Sequence, residues 1–226
     1  DVKVCSFDCI YCECGRNPEK YEKKAILPSR KEVSEKLKLK LEVMAEKKEF
    51  PDVITFAGNG EPTLHPEFAG IIHDTIQIRN VMAPGARIAV LSNATMIHKK
   101  SVFGALLLVD DNIQKIDSAF EETIRVLDCP AKNFSLSKTV KQLRLFKGRV
   151  IIQTMFVRGT LDEKVIDNTT DAEISAWIDL LRQINPCQVM IYTIARDTPV
   201  NTLKKIPENE LRKIAEKVTE SGFYVQ

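Results

Sequence analysis

Four of the six cysteines of this 226-residue chain fall within ten residues, at Cys5, Cys9, Cys12 and Cys14. Too few cysteines occur elsewhere for a disulfide framework in a chain of this length. Thiolates this close can instead bind a metal. Zinc held by four sulfurs is one option, although structural zinc usually takes two well-separated pairs. A compact loop with three and two residues between its ligands favours an iron–sulfur cluster, and three thiolates would leave one iron open.

The first three cysteines form a Cys-x3-Cys-x2-Cys motif with Tyr11 directly before the third, and this resembles the defining motif of the radical S-adenosylmethionine (SAM) superfamily. Residues 57–62, Ala-Gly-Asn-Gly-Glu-Pro, resemble that family's Gly-Gly-Glu motif, with Asn59 in the place of the first glycine. Within the superfamily, both runs resemble a group of iron–sulfur oxidoreductases that is distantly related to wybutosine-synthesis enzymes.

The resemblance implies that Cys5, Cys9 and Cys12 are the catalytic cysteines and hold a [4Fe-4S] cluster, whose open iron chelates SAM. Reductive cleavage of SAM would then give a 5′-deoxyadenosyl radical that abstracts hydrogen from a substrate. The residues that we expect to bind the cofactors are Tyr11, Gly58, Asn59, Gly60, Glu61, Ser92, Asn93, Asp117, Gln153, Arg158 and Tyr192.

Several of these assignments have a structural alternative. Glu61 and its neighbouring glycines could form an ordinary turn between a strand and a helix. Ser92 and Asn93 suit the SAM ribose, but they could equally cap the next helix. Asp117 could contact substrate or begin a helix. Arg158 could bind the SAM carboxylate through its guanidinium or lie on the surface.

The remaining candidate residues are interpreted as structural. Cys14 is read as a small residue of a tight loop, and His65 is expected to cap or pack near a helix start. Cys129 and Cys187 stand alone and are expected to be buried apolar residues.

Short apolar runs alternate with amphipathic stretches along the chain, and this pattern predicts parallel strands joined by helices. Three helix starts carry a capping-box pattern, at Ser29, Thr170 and Ser118. The prediction is an α/β fold, a (βα)6-type partial TIM barrel with its site at the carboxyl ends of the strands. The predicted strands are Val53–Phe56, Arg87–Leu91, Ile113–Ile116, Val150–Phe156, Gln188–Tyr192 and Tyr224–Val225.

The chain shows no linker or repeat, so we expect residues 1–226 to form a single domain. It starts at Asp1 without a methionine and ends in a strand-like run, so both termini are expected to be truncated. The longest apolar stretch, Phe103–Val109, is too short to span a membrane, and no targeting segment is evident, which predicts a cytoplasmic protein.

The composition is that of a globular protein, with 44% hydrophobic residues and 33 Lys and Arg against 31 Asp and Glu. This balance gives no support to a nucleic-acid partner, although a tRNA substrate stays open. A peptide or protein substrate is also open. The resemblance implies a small reductase, flavodoxin or ferredoxin as electron donor. The alternative function is a non-catalytic interaction module that carries zinc or an iron–sulfur cluster.

Overall fold

A computed structural model describes residues 3–18 and 26–226, which form an α/β fold. The strands are β1 Val53–Phe56, β2 Arg87–Ser92, β3 Asp111–Lys115, β4 Ile151–Met155, β5 Val157–Leu161, β6 Lys164–Asp167, β7 Gln188–Tyr192 and β8 Lys204–Lys205. The helices are α1 Arg30–Glu46, α2 Phe68–Met82, α3 Lys100–Leu106, α4 Glu121–Leu127, α5 Leu136–Arg144, α6 Asp171–Ile184 and α7 Glu208–Glu220, and a 3-10 turn spans Pro62–Leu64.

Five strands form one parallel sheet in the order β1-β2-β3-β4-β7. This sheet confirms the predicted partial barrel and five of the six predicted strands, with boundaries that differ by two residues at most. The sixth predicted strand is reduced to a single parallel bridge from Val225 to Val189 of β7. The carboxyl ends of the five strands meet at one edge, where a site is expected.

A second sheet, antiparallel and in the order β6-β5-β8, was not predicted from the sequence. The β5–β6 hairpin turns at Asp162 and Glu163, which adopt positive φ angles of 47° and 65°. The usual sequence signals of such a turn are Asn-Gly and Asp-Gly. The Asp-Glu dipeptide at this turn is neither, so the hairpin could not be predicted from it. The predicted strand over residues 150–156 therefore ends at Met155, and the chain continues into the second sheet.

The two faces of the parallel sheet are packed differently. In β2, Ile88 and Val90 are fully buried, and Val90 joins the large core shared with α2, α5 and α6. Ala89 alternates with them and packs with Ile113 and Ile151 in a small cluster on the opposite face. Alternation along a strand places successive side chains on opposite faces, so the sheet is covered on both.

The antiparallel sheet supports the amino-terminal segment. Phe7, Ile10 and Tyr11 are buried against Val157 of β5 and Ile166 of β6. The element that the sequence failed to predict is therefore one that positions the cysteines.

The three predicted capping boxes have different outcomes. The box at α1 is complete, since the Ser29 hydroxyl and the Glu32 carboxylate each accept a backbone N–H. At α6 the Thr170 side chain accepts from Glu173, but the Glu173 carboxylate instead accepts hydrogen bonds from Ser118 and Thr123, each of 2.6 Å. The box at Ser118 is absent, because α4 begins only at Glu121 and its N-cap residue is Phe120. The Ser118 hydroxyl accepts the Phe120 N–H at 2.8 Å, and the Glu121 carboxylate accepts the Leu136 N–H at 2.9 Å.

Across residues 3–18 and 26–226, no helix has the length and apolar character needed to cross a membrane.

Candidate active site

The cysteine loop, residues 5–14, is held across the carboxyl ends of the strands at two points. Before it, Val4 pairs in parallel with Gly60, and the Glu61 N–H donates to the Val4 carbonyl at 2.8 Å. Within it, the Ile10 N–H donates to the carbonyl of Leu127, at the end of α4, at 2.9 Å. Backbone hydrogen bonds therefore fix the path of the loop.

The loop forms one wall of a cavity of about 320 Å³, here called the cysteine cavity. Ten of the predicted site residues line it: Cys5, Cys9, Tyr11, Cys12, Gly60, Glu61, Ser92, Asn93, Gln153 and Tyr192. Four predicted residues do not line it: Gly58, Asn59, Asp117 and Arg158.

The three motif cysteines line this cavity and differ in how far they are buried. Cys9 is buried, whereas Cys5 and Cys12 are partly exposed. Burial raises the pKa of the Cys5 thiol and raises that of Cys9 well above its usual value. Cys14 is exposed, and its thiol donates to the Gly58 carbonyl at 3.3 Å, as expected for a residue of a tight loop.

The cysteine side chains fit a cluster better than a single metal ion. Within residues 3–18 and 26–226, no three His, Cys, Asp or Glu side chains are arranged to hold one ion. A tetrahedral zinc site needs its sulfurs about 2.3 Å from one centre. A cubane cluster takes each thiolate on a different iron, so thiolates around a cavity can serve it without converging on one point.

Glu61 is a buried carboxylate on the wall of the cysteine cavity, with 6% of its surface exposed. One carboxylate oxygen accepts the Thr63 N–H at 2.9 Å and is also contacted by the Thr63 hydroxyl. The other accepts the Asn93 N–H at 2.6 Å. Burial raises the pKa of Glu61, and these hydrogen bonds oppose the rise. The carboxylate is therefore fixed in position and can accept a hydrogen bond from a bound cation.

The loop after β2 connects Glu61 to the cysteine loop. The Asn93 amide donates to the Ser6 hydroxyl at 2.9 Å and lies 3.5 Å from the Cys5 sulfur. Its oxygen accepts the Thr95 N–H at 3.1 Å, and the Ser92 hydroxyl accepts the Ala94 N–H at 3.1 Å. Ser92 and Asn93 therefore serve the local turn and also face the cavity. They do not cap the next helix, because α3 begins at Lys100 with Lys99 as its N-cap residue.

A buried network of one cation, two carboxyl groups and a phenol extends from the cavity wall, which Tyr11 and Lys115 line, to Asp117 and Asp128. Lys115 lies 2.6 Å from a carboxylate oxygen of Asp117, and its ammonium is 4.5 Å from the centre of the Tyr11 ring. The Tyr11 hydroxyl donates its proton to Asp128 at 2.6 Å and also contacts Asp117. Asp117 additionally accepts the Met155 N–H at 2.9 Å. Asp117 thus belongs to the support of the site and not to its surface.

Protonation in this network follows from burial and from the nearby charges. Burial disfavours the charged form of Lys115, but attraction to Asp117 and the other acidic groups outweighs it and holds the pKa of Lys115 well above its usual value. Burial, together with repulsion from Asp117, raises the pKa of Asp128 to about 8. Burial also raises the pKa of Tyr192, on the cavity wall, to about 12. At neutral pH Lys115 is therefore charged and Asp128 is mostly protonated.

The glycine motif lies between two cavities. Gly60 and Glu61 face the cysteine cavity, and they also line a neighbouring cavity with Gly58 and Asn59. Gly60 has a φ of +140°, and a Cβ there would lie 2.1 Å from the Val4 carbonyl oxygen. Glycine is required at this position because the amino-terminal segment packs directly onto it.

Arg158 lies in β5, away from the cysteine cavity. Its guanidinium donates to the Thr169 hydroxyl and to Glu210, each at 2.6 Å, and lies 3.5 Å from Asp167. This placement favours a structural role over contact with a SAM carboxylate.

Six residues that line the cysteine cavity were not among the predicted site residues: Phe7, Glu13, Cys14, Leu91, Lys115 and Met155. Lys115 ends β3, so its place at the carboxyl edge could have identified it as a candidate. Met155 ends β4 and is apolar, and nothing in its type signals a site.

The residues interpreted as structural have mixed outcomes. His65 contacts the Pro28 carbonyl at 2.8 Å and accepts the Glu67 N–H at 3.0 Å beside the start of α2, as predicted. Cys129 is only partly buried, and the prediction that Cys187 is buried is wrong, because it is exposed just before β7. A lone cysteine gives no signal of which face it occupies.

A family model, the radical SAM superfamily, matches residues 2–167. The chain therefore belongs to the radical SAM superfamily, as the cysteine and glycine motifs indicated. The family implies an iron–sulfur cluster and SAM.

The chain is also similar to individual proteins and to solved structures. The chain is 28% identical over 228 residues to a protein of Brachyspira hyodysenteriae named GTPase Obg. The match covers 99% of this chain but only 31% of that relative. Among solved structures, Streptococcus suis SuiB bound to S-adenosylmethionine has a TM-score of 0.70 and 14% identity over 100% of this chain and 48% of that one. TYW1 with a lysine–pyruvate adduct has a TM-score of 0.68 and 19% identity over 97% of this chain and 71% of that one. These structures share the fold of the partial barrel.

Proposed function

We propose that this chain binds a [4Fe-4S] cluster through Cys5, Cys9 and Cys12 and uses it to cleave SAM reductively, with hydrogen abstraction from a substrate. One observation carries the proposal: the three cysteines line the same cavity as the buried carboxylate of Glu61. Ligands for a cluster and for an amino acid cation are thus present in one site.

When bound, the cluster would supply the electron that breaks a carbon–sulfur bond of SAM, and the protein would bind, orient and shield the reactants. Glu61 is suited to accept hydrogen bonds from the SAM amino group. Lys115 is the one Lys, Arg or His among the described residues that line the cavity, so we assign the SAM carboxylate to it. Gln153 and Ser92 offer neutral polar groups that can hydrogen-bond to the ribose hydroxyls of SAM.

The substrate is a tRNA base, a peptide or a protein. Similarity in fold to TYW1, an enzyme of wybutosine synthesis, supports the tRNA base, whereas the balanced charge of the chain does not. A flavodoxin or ferredoxin as electron donor and a cytoplasmic location stay predictions.

Anaerobic reconstitution with iron and sulfide, followed by SAM and dithionite, tests the proposal. The wild-type protein should turn brown and release 5′-deoxyadenosine. Cys9→Ala should lose both the colour and the cleavage, because a buried ligand is removed. The matched control is Cys14→Ala in the same loop, which should keep both.

Two results would contradict the proposal. Cleavage that survives in Cys9→Ala would exclude this cysteine as a ligand. A colourless protein that binds zinc and leaves SAM intact would support the interaction module instead.

A further inference from the structure

The cysteine loop separates two cavities. Cys5 and Phe7 face the cysteine cavity, whereas Ser6, between them, faces a second cavity of about 420 Å³. The loop after β2 divides in the same way, with Asn93 in the first cavity and Thr95 in the second. Alternate side chains thus point to opposite sides of a wall that is one residue thick.

The floor of the second cavity is in contact with a predicted cluster ligand. The hydroxyls of Ser6 and Thr95 form a hydrogen bond of 2.7 Å. The Asn93 amide reaches Ser6 at 2.9 Å and lies 3.5 Å from the Cys5 sulfur. A molecule in the second cavity would therefore be separated from that sulfur by a single layer of polar side chains.

The second cavity is basic at its rim and apolar below. Lys138 and Lys141 of α5 line it together with His98, and no Asp or Glu within residues 3–18 and 26–226 does. No Asp or Glu occurs anywhere in residues 75–109 or 129–161, the two stretches that supply every lining residue except Ser6.

The nearest acid on the neighbouring helix is already paired, and the deeper lining is apolar. Glu121 of α4 lies 2.6 Å from Arg125 and accepts the Leu136 N–H at 2.9 Å. Met96, Ile97 and Phe134 are among the apolar residues of the cavity. An apolar centre within a charged rim is the usual composition of a protein–protein interface.

We propose that the second cavity and its lysine rim form the docking surface for an acidic one-electron donor protein. The inference rests on the proposed function, because only a redox cluster in the cysteine cavity requires a donor. In each transfer the donor loses one electron and the cluster gains one, and no bond forms or breaks between the two proteins. A nucleic-acid substrate is disfavoured at this surface, because its reacting atom must reach the cysteine cavity on the other side of the loop.

The test uses Lys138→Glu with Lys141→Glu in the reconstituted protein, and compares a reduced flavodoxin with dithionite as electron source. With a limiting concentration of flavodoxin, formation of 5′-deoxyadenosine should fall about tenfold or more, since opposite charges steer such encounters. With dithionite the rate should be unchanged. The matched control is Lys36→Glu with Lys40→Glu on the exposed face of α1, which should keep both rates.

A second readout needs no turnover. The dissociation constant of oxidised flavodoxin for the cluster-free protein, measured by calorimetry, should rise about tenfold in the α5 variant and not in the α1 variant.

Equal flavodoxin-supported rates in the two variants would overturn the proposal, as would a loss of the dithionite-supported rate in the α5 variant. If the α5 variant kept the wild-type rate with flavodoxin but bound total tRNA more weakly, the proposal would be overturned in favour of an RNA-binding surface. A wild-type protein that never cleaves SAM with dithionite would instead refute the proposed function.

Discussion

The Tyr11 hydroxyl donates a 2.6 Å hydrogen bond to Asp128, a residue 117 positions further along the chain. Tyr11 lies between Cys9 and Cys12, and Asp128 directly follows α4. The Asp8 N–H also donates to the Asp128 carbonyl at 3.0 Å. One aspartate thus holds the cysteine loop through both its side chain and its backbone.

Tyr11→Phe should destabilise the protein. The change removes the hydroxyl that contacts two buried carboxyl groups, Asp117 and Asp128, and we expect the free energy of unfolding to fall by about 1–3 kcal/mol. Urea unfolding of the cluster-free protein measures it. The control is Tyr224→Phe, where the side chain is largely exposed and the change should have almost no effect. Equal stability of the two variants would show that the phenol does not anchor the loop.

Asp128→Asn should change how stability depends on pH. The folded-state pKa of Asp128 is raised to about 8, whereas an unfolded aspartate titrates near pH 4. Between these values the folded protein binds a proton that the unfolded chain releases, so stability from this group is complete below about pH 4 and is lost as the pH rises to about 8. The loss is about 1.4 kcal/mol per pH unit.

The asparagine variant lacks this titration. Its unfolding free energy relative to wild type should therefore rise steadily between about pH 5 and 8 and become constant above pH 8. Urea unfolding at intervals of one pH unit measures the two curves. Parallel curves across this range would mean that Asp128 is ionised at neutral pH.

Glu61→Gln should weaken SAM binding without removing the cluster. A glutamine amide can still accept a hydrogen bond, but it lacks the negative charge that attracts an ammonium group, so we expect the dissociation constant of SAM to rise about 10- to 100-fold. Equilibrium dialysis with labelled SAM measures it, and the iron content should match that of wild type. Glu49→Gln, on the exposed surface, is the control. Unchanged SAM affinity in Glu61→Gln would remove this residue from the binding site.

Arg158→Gln should affect stability and not SAM. The side chain loses its partners Thr169 and Glu210, which are partly exposed, so we expect a loss of about 1 kcal/mol in unfolding free energy. Equilibrium dialysis should give the wild-type affinity for SAM. A tenfold weaker affinity would support the assignment of Arg158 to the SAM carboxylate.

The parallel sheet could be predicted from the sequence because most of its strands are short apolar runs between turn and helix signals. The exception is β3, which buries the amides Asn112 and Gln114. The strand at Val53–Phe56 matches its prediction at both ends. The antiparallel sheet could not be predicted, since its hairpin turns through Asp162 and Glu163 without a glycine. Its strands are stabilised by packing under the cysteine loop, a long-range contact that no local pattern reveals.

The candidate site shows the same division. The cysteines and Glu61 were found because their types and spacing are specific to one chemistry. Lys115 was missed and Arg158 was included, although both are cations near strand ends. Which of the two faces the cavity depends on the position of the second sheet, and no local pattern of residues predicts that sheet.

The alternation of Cys5, Ser6 and Phe7 across the wall limits how this segment can vary in length. Inserting a single residue after Cys5 would reverse the sides, turning the aromatic ring outward and the hydroxyl toward the sulfurs. Every downstream thiol would also be displaced by one position. Such an insertion should therefore be more damaging than most substitutions in the same loop.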